Sequence, residues 1–294
     1  MFFLEETENS IQKNDYITCK LCPRNCQIKS GKTGFCGVRK NIDGKGVSTN
    51  YGRLSAVNID PIEKKPLYHF HPGTSILSVG SYGCNLSCKH CQNYTISQGD
   101  FSQINLSENN YTSAQTLVNM IDDSSLGLAY TYNEPIVWYE YMIDCAKLVK
   151  EKGKYNVMVS NGYINKEPLQ ELIPLIDAFS IDLKAFSEGF YKQVSAGHLQ
   201  PVLDSLELIA HSGKHLEIEY LVIPGLNDDA AEFDKMLKWY VSHLGKQVPL
   251  HINRYFPQFK MHRPPTPLST LKSLAQSANK VLDYVHVGNV SVNF

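Results

Sequence analysis

From about residue 51 onward the chain alternates short apolar runs with longer amphipathic stretches, the pattern of successive β-α units. Apolar runs at 75–81, 126–132, 155–160, 178–183, 215–223, 249–253 and 284–287 predict strands. They are mostly unbroken by polar alternation, as expected for parallel strands covered on both faces. Helical periodicity predicts helices at 113–122, 136–152, 201–211, 230–244 and 268–281, with Gly153, Gly213 and Gly245 where helix ends are expected. Six or seven such repeats predict an α/β fold, a full or partial (β/α) TIM-like barrel rather than an open doubly wound sheet.

Residues 1–50 lack this texture. They are rich in Gly, Lys, Asn and Ser, and are expected to form a separate metal-binding segment stapled onto a core barrel at 51–294, because so short a stretch with so little apolar periodicity cannot build a core alone. The whole chain has 294 residues with 43% in the hydrophobic set, enough for a large core and against disorder as the main state. Lys plus Arg number 28 against 29 for Asp plus Glu, so a formal charge of -1 creates no general field for nucleic acid or acidic lipid. No apolar run reaches the ~18 residues of a membrane span, and Glu5, Glu6 and Glu8 stand where a signal peptide would continue its apolar stretch. These features predict a cytoplasmic protein without a membrane partner, in which eight cysteines serve as metal ligands or thiols rather than disulfides.

Seven of the eight cysteines fall in two groups. Cys84-Asn-Leu-Ser-Cys88-Lys-His-Cys91 directly follows the first predicted barrel strand, where barrel folds place their chemistry. Three thiolates in one loop leave one iron of a cubane 4Fe-4S cluster without a protein ligand and open to a small molecule. The C-x3-C-x2-C spacing resembles that of the radical SAM superfamily, where S-adenosylmethionine takes that position and is cleaved to methionine and a 5'-deoxyadenosyl radical. The competing readings are zinc with His90 as fourth ligand, or thiols without metal. The other group, Cys19, Cys22, Cys26 and Cys36, supplies the four thiolates of a closed site. Its spacing suits zinc or an auxiliary 4Fe-4S cluster; Pro23, Gly31, Gly34 and Gly37, which resemble the turns of a small ribbon, favour zinc. Cys145, alone in a helical pattern, reads as a buried apolar residue.

Further elements carry a resemblance to one family. These are Cys19-Lys-Leu-Cys-Pro-Arg-Asn-Cys26 with Gly34-Phe-Cys-Gly-Val-Arg39, Asp60-Pro-Ile-Glu-Lys-Lys-Pro-Leu67, the loop to Asn93, and Ala129-Tyr-Thr-Tyr-Asn-Glu-Pro135. Ser160-Asn-Gly162, Ser180-Ile-Asp-Leu-Lys184, Ile223-Pro-Gly-Leu-Asn227 and Val287-Gly-Asn289 follow. Together they resemble the radical SAM enzyme of the AmmeMemoRadiSam system, a relative of the pyruvate formate-lyase activating enzymes, over nearly the whole chain.

The resemblance implies that Cys84, Cys88 and Cys91 are the catalytic cluster ligands. It implies that Asn133 and Glu134 hold the amino group of S-adenosylmethionine and that Asn161 lies near the cofactor. It places Lys184 of the Asp182-Leu-Lys184 element opposite the cofactor carboxylate, and His251 at the ribose or adenine. Each has a plainer alternative: a solvent-facing loop carboxylate, an Asn-Gly turn, an internal Asp-Lys ion pair, and a hydrogen-bonded barrel histidine. Where relatives have an aromatic before the last cysteine this chain has His90, which can still stack near adenine. Val159 replaces the Asp that helps bind a monovalent cation in the activating enzymes, which puts such a site in doubt.

The resemblance also implies an electron donor such as flavodoxin or ferredoxin. The substrate, a protein, an RNA or a small molecule, is not encoded in these motifs. Activation of a glycyl-radical enzyme is one version of the function. A non-catalytic zinc-binding interaction module is the alternative of another class. The aromatic run Tyr130, Tyr132, Trp138, Tyr139 and Tyr141 is expected in the core rather than stacked on bases. His69 and His71 are expected in loop packing, and Asp228-Asp229 as helix-capping charge.

Overall fold

The predicted apolar runs assemble into one eight-stranded sheet in a computed structural model that describes residues 10–13, 15–99, 101 and 111–291. Two small antiparallel units precede it: β1 (Ser10–Lys13), β2 (Tyr16–Cys19) and β3 (Gln27–Lys29), then the hairpin β4 (Arg39–Ile42) and β5 (Lys45–Ser48). The main sheet starts with β6 (Ala56–Pro61), which pairs antiparallel with β7 (Ser75–Gly80). β8 (Ser125–Tyr130), β9 (Tyr155–Ser160), β10 (Ala178–Asp182), β11 (His215–Val222), β12 (Leu250–Arg254) and β13 (Val285–Gly288) follow in spatial order, each parallel to its neighbour. The helices are α1 (Tyr94–Ser97), α2 (Ala114–Asn119), α3 (Tyr139–Glu151), α4 (Lys166–Leu172), α5 (Glu188–Phe190), α6 (Gln200–Ala210), α7 (Ala230–His243) and α8 (Leu268–Ala278).

All seven predicted strands and five predicted helices have counterparts, with ends shifted by a few residues. Two expectations need correction. The barrel is not closed: among the described residues the sheet runs from β6 to β13 without a ladder joining them, so the partial form holds and the full one does not. Nor is β11 an unbroken apolar strand. His215, Glu217 and Glu219 alternate with buried Leu216, Ile218 and Tyr220, because one face packs on helices and the other lines the sheet interior. Pairing register aligns Asp182, Glu219, His251 and His286 across four neighbouring strands. Alternation of period two then puts them all on one face.

Helix α3 shows why the outer layer forms. Tyr139, Tyr141, Met142, Cys145, Ala146 and Val149 are buried at helical spacing, and each large apolar side chain so buried contributes about 1.5–3 kcal/mol. Cys145 is inside this layer, as the sequence suggested. The expected cap at the start of α7 is also present, with Asp229 accepting from the Glu232 N–H. Of the aromatic run, Tyr130, Trp138, Tyr139 and Tyr141 are buried core residues, and the Tyr132 hydroxyl donates to Asp60.

The N-terminal segment shares the main core. Ile17, Leu21 and Ile28 pack in the same apolar cluster as Leu86, Tyr163 and the sheet, and Arg39 makes a buried two-pronged ion pair with Glu140 of α3 at 2.5 and 2.7 Å.

Tight strand packing gives a first prediction. Gly127 lies opposite Tyr155, and a Cβ at Gly127 would stand 1.9 Å from the Tyr155 carbonyl oxygen. Because that neighbour is backbone and cannot swing away, Gly127→Ala is expected to destabilise the fold by about 3 kcal/mol or more. A thermal melt matching wild type would contradict this.

Candidate functional site

The three-cysteine loop leaves the C-terminal end of β7 and is held by backbone contacts before any side chain is considered. Ser87 N–H donates to Ser195 O at 2.9 Å and Lys89 N–H to Val194 O at 3.0 Å, which anchors the loop on a π-helical turn at Tyr191–Ser195. Asn133 clamps the loop entry: its Oδ1 accepts from Ser81 N–H at 2.9 Å and its Nδ2 donates to Gly83 O at 3.0 Å. Cys84 Sγ accepts from Leu86 N–H at 3.4 Å, and the Asn161 amide reaches it at 3.7 Å.

Burial raises all three thiols; Glu134 and then Cys88 add to the effect at Cys84, Cys88 adds to it at Cys91, and Lys184 opposes it at Cys88 and Cys91. Without a metal to displace the protons, these groups are neutral thiols. Among the described residues no group of three or more His, Cys, Asp or Glu side chains is set to hold a metal ion as it stands. Ligands on separate irons of a cubane are spaced by the iron and sulfide between them, farther apart than ligands around one ion. The donor set fits such a cluster: one buried and two half-buried thiols in one loop, N–H groups directed at sulfur, and no carboxylate among them.

Around the thiols stand most of the residues named from the sequence. Glu134 is buried, with Oε1 accepting from Ile136 N–H at 3.0 Å and Ser160 Oγ at 2.7 Å, and Oε2 from Asn161 N–H at 2.9 Å. Burial pushes its carboxyl up to about 7 against those three hydrogen bonds. It is therefore not the solvent-facing carboxylate of the plainer reading. Asn161 also donates to Asn85 Oδ1 at 2.9 Å. Lys184 pairs with Asp182 at 3.0 Å. Although burial works against its charge, Asp182 and the nearby Cys88 hold the ammonium above its ordinary range. His90 is 6% exposed and its Nδ1 has no hydrogen-bond partner among the described residues; burial, then Lys184, push it down to about 3, so it is neutral.

His251 is bound elsewhere. It lies near the start of β12, donates through Nε2 to Glu217 Oε2 at 2.6 Å, and packs against Tyr68 and His286. These are the contacts of a hydrogen-bonded histidine on the sheet. Glu217 is the hub of this second cluster, accepting also from His215 Nε2 at 2.9 Å and from the Tyr68 and His69 N–H groups at 3.1 and 2.8 Å. Beside it Glu219 is buried, accepts from the Asn253 amide, and keeps Oε1 without a hydrogen-bond partner among the described residues, 3.8 Å from His251 Nδ1.

Cys19, Cys22, Cys26 and Cys36 line one small cavity with Arg24, Arg39 and Asn85. Burial pushes Cys22 up to about 12 and Cys36 up to about 11. Sequence reasoning passed over Arg24, Asn85 and the π-helical turn. The only local signal for the first two was their position beside cysteines.

Comparison with known proteins agrees with this geometry. Residues 78–239 match the radical SAM superfamily, a stretch that begins in β7 and contains the three-cysteine loop. An uncharacterised protein of Methanocaldococcus jannaschii is 40% identical over 99% of this chain and 84% of its own length. The pyruvate formate-lyase-activating enzyme of Clostridium pasteurianum is 23% identical over 52% of this chain, which spans 64% of that enzyme. In fold, the chain is similar to a radical SAM methyltransferase from Sphaerobacter thermophilus, with a TM-score of 0.56 at 11% identity over 98% of this chain and 78% of that one. The family match covers more than half of the sequence, and the chain belongs to the radical SAM superfamily.

Proposed function

We propose that this chain is a radical SAM enzyme of the AmmeMemoRadiSam type, with its 4Fe-4S cluster on Cys84, Cys88 and Cys91 and hydrogen abstraction from a substrate as its reaction. Membership of the superfamily implies an enzyme that uses a 4Fe-4S cluster and S-adenosylmethionine. The observation that carries the residue assignment is the C-x3-C-x2-C loop at the end of β7, with Cys88 buried in the core, Cys84 and Cys91 half-buried against it, and the Asn161 amide aimed at Cys84 Sγ. When bound, the cluster and S-adenosylmethionine would supply one-electron cleavage of a carbon–sulfur bond to give methionine and a 5'-deoxyadenosyl radical.

The chain's residues hold, orient and shield. Glu134 sets the Asn161 backbone and offers a carboxylate to the cofactor's ammonium, Lys184 offers positive charge to its carboxylate, and His90 Nδ1 is free to hydrogen-bond. Asn133 keeps the loop entry in register, and the π-helical turn covers the loop from solvent. In this reading residues 1–50 form a four-cysteine metal segment, with zinc or a second cluster on Cys19, Cys22, Cys26 and Cys36, and 51–294 form the core. Seven clustered free thiols suit a reducing cytoplasm, and no helix among the described residues is long and apolar enough to cross a membrane. Reduction by a flavodoxin or ferredoxin completes the scheme.

A second reading makes the substrate a backbone glycine of a glycyl-radical enzyme. The likeness to activating enzymes over half the chain favours it.

Anaerobically purified protein is expected to be brown, to contain iron and sulfide, and to convert S-adenosylmethionine to 5'-deoxyadenosine on reduction. A colourless protein with zinc in both cysteine groups would support the interaction module instead.

A further inference from the structure

The N-terminal cysteine segment grips the three-cysteine loop directly, and one guanidinium does most of it. Arg24 sits in the turn between Cys22 and Cys26, closed by Asn25 N–H to Cys22 O at 3.0 Å. Its Nε donates to Asn85 O at 2.5 Å and its Nη2 to Ala196 O. The guanidinium lies over the Phe35 ring at 3.3 Å, with the Tyr163 ring at 5.9 Å.

Both acceptors are strategic. Asn85 follows Cys84, donates to Tyr163 O at 2.7 Å, and accepts from the Asn161 amide that reaches Cys84 Sγ. Ala196 ends the π-helical turn in the left-handed region, at φ 55, and the two residues before it carry the carbonyls that hold Ser87 and Lys89 on either side of Cys88. Gly83 adds a backbone contact, since a Cβ there would meet Cys36 O at 2.6 Å. On the other side, Asn165 binds Lys20 O at 2.5 Å and Leu21 O at 3.1 Å.

We propose that Arg24 is a positioning residue through which the four-cysteine site sets the geometry of the radical loop. This rests on the reading that Cys19, Cys22, Cys26 and Cys36 hold a metal. Metal bonds at Cys22 and Cys26 rigidify the turn between them, and a rigid turn presents the planar fork of Arg24 to two carbonyls at once. Without the metal the turn gains freedom, the fork leaves its acceptors, and Cys84 and Cys88 lose their fixed spacing. Outer-shell groups of this kind typically change metal affinity 10–100-fold.

The test uses the full chain, reconstituted anaerobically with iron and sulfide or loaded with zinc. Arg24→Ala is expected to reduce the iron retained at the radical loop about 10-fold, and to diminish the change that S-adenosylmethionine makes in the electron paramagnetic resonance spectrum of the reduced cluster. Arg24→Lys, which keeps the charge but reaches one carbonyl, is expected to lie between, and keeps the test readable if Arg24→Ala folds poorly. Cys22→Ala should reproduce the Arg24→Ala spectrum. In a C84A/C88A/C91A background, Arg24→Ala should hold as much zinc or iron as its parent.

Wild-type iron retention and spectra in Arg24→Ala overturn the clamp, and wild-type spectra in Cys22→Ala overturn its dependence on metal. A C84A/C88A/C91A protein that binds neither zinc nor iron overturns the four-cysteine metal reading itself, so the two failures are distinguishable.

Discussion

Replacing Cys84, Cys88 and Cys91 together by alanine is expected to remove the iron and sulfide of the radical loop and to bring 5'-deoxyadenosine formation down to the level of an enzyme-free control. The loss should be complete because the thiolates are the cluster's only protein ligands in the proposed site, and electron transfer to S-adenosylmethionine has no other route. The fold should survive. The loop is anchored by backbone bonds from Ser87, Lys89 and Gly83, the last to Ile96 O at 2.8 Å, and none of these involves a cysteine side chain. Metal analysis, 5'-deoxyadenosine quantification and circular dichroism on the same preparation check the result. Native-like protein that still produces 5'-deoxyadenosine would sink the assignment of these three residues.

The second large effect concerns stability. Glu217→Ala is expected to cost about 3–5 kcal/mol, the range for breaking a buried charged network from one side, which for a chain of this size lowers the melting temperature by roughly 10 °C. The carboxylate is fully buried and accepts four hydrogen bonds, so its loss strands two backbone N–H groups and two imidazoles. It holds the Tyr68–His69 stretch against β11 and β12, closing the sheet interior at the N-terminal ends of the strands.

The pH dependence follows from the same cluster. Although burial works against its charge, the donors of His215, His251, His69 and Tyr68 hold the Glu217 carboxyl far below its ordinary 4.5. In the folded state it therefore resists a proton that the unfolded chain accepts. Its stabilisation is intact above about pH 4.5 and is lost as the pH falls below it. His286, pushed down from 6.5 to about 4 by burial and by His251 and His69, acts in the same direction at higher pH. Between about 6.5 and 4 the unfolded chain takes up its proton and the folded chain does not, so stability declines through that window too. Urea unfolding of wild type and Glu217→Gln at pH 7 and pH 4 is the check. The stability gap between them should narrow at the lower pH, and an unchanged gap would contradict the account.

Much of this architecture is legible along the chain because parallel strands and their covering helices have local signatures. Apolar runs such as 155–160 and 178–183 are buried on both faces, and the α3 stripe recurs at helical spacing. Helix α4 escapes such a reading: Lys166-Glu-Pro-Leu-Gln-Glu-Leu172 is short, charged and carries a proline in its first turn. The polar face of β11 escapes it because Glu217 and Glu219 find their partners 34 positions away.

The amino-acid sequence alone determined the donor set: the count and spacing of Cys84, Cys88 and Cys91 specify a three-cysteine loop, and its place after an apolar run puts it at the end of a strand. Both are properties of residues adjacent in the chain. Only the tertiary structure decided that the barrel stays open between β6 and β13, that His251 belongs to Glu217, and that Arg24 reaches Asn85 and Ala196, 61 and 172 positions away. Strand register and the docking of one loop on another join residues with no shared local pattern, so these contacts exist only once the chain has packed.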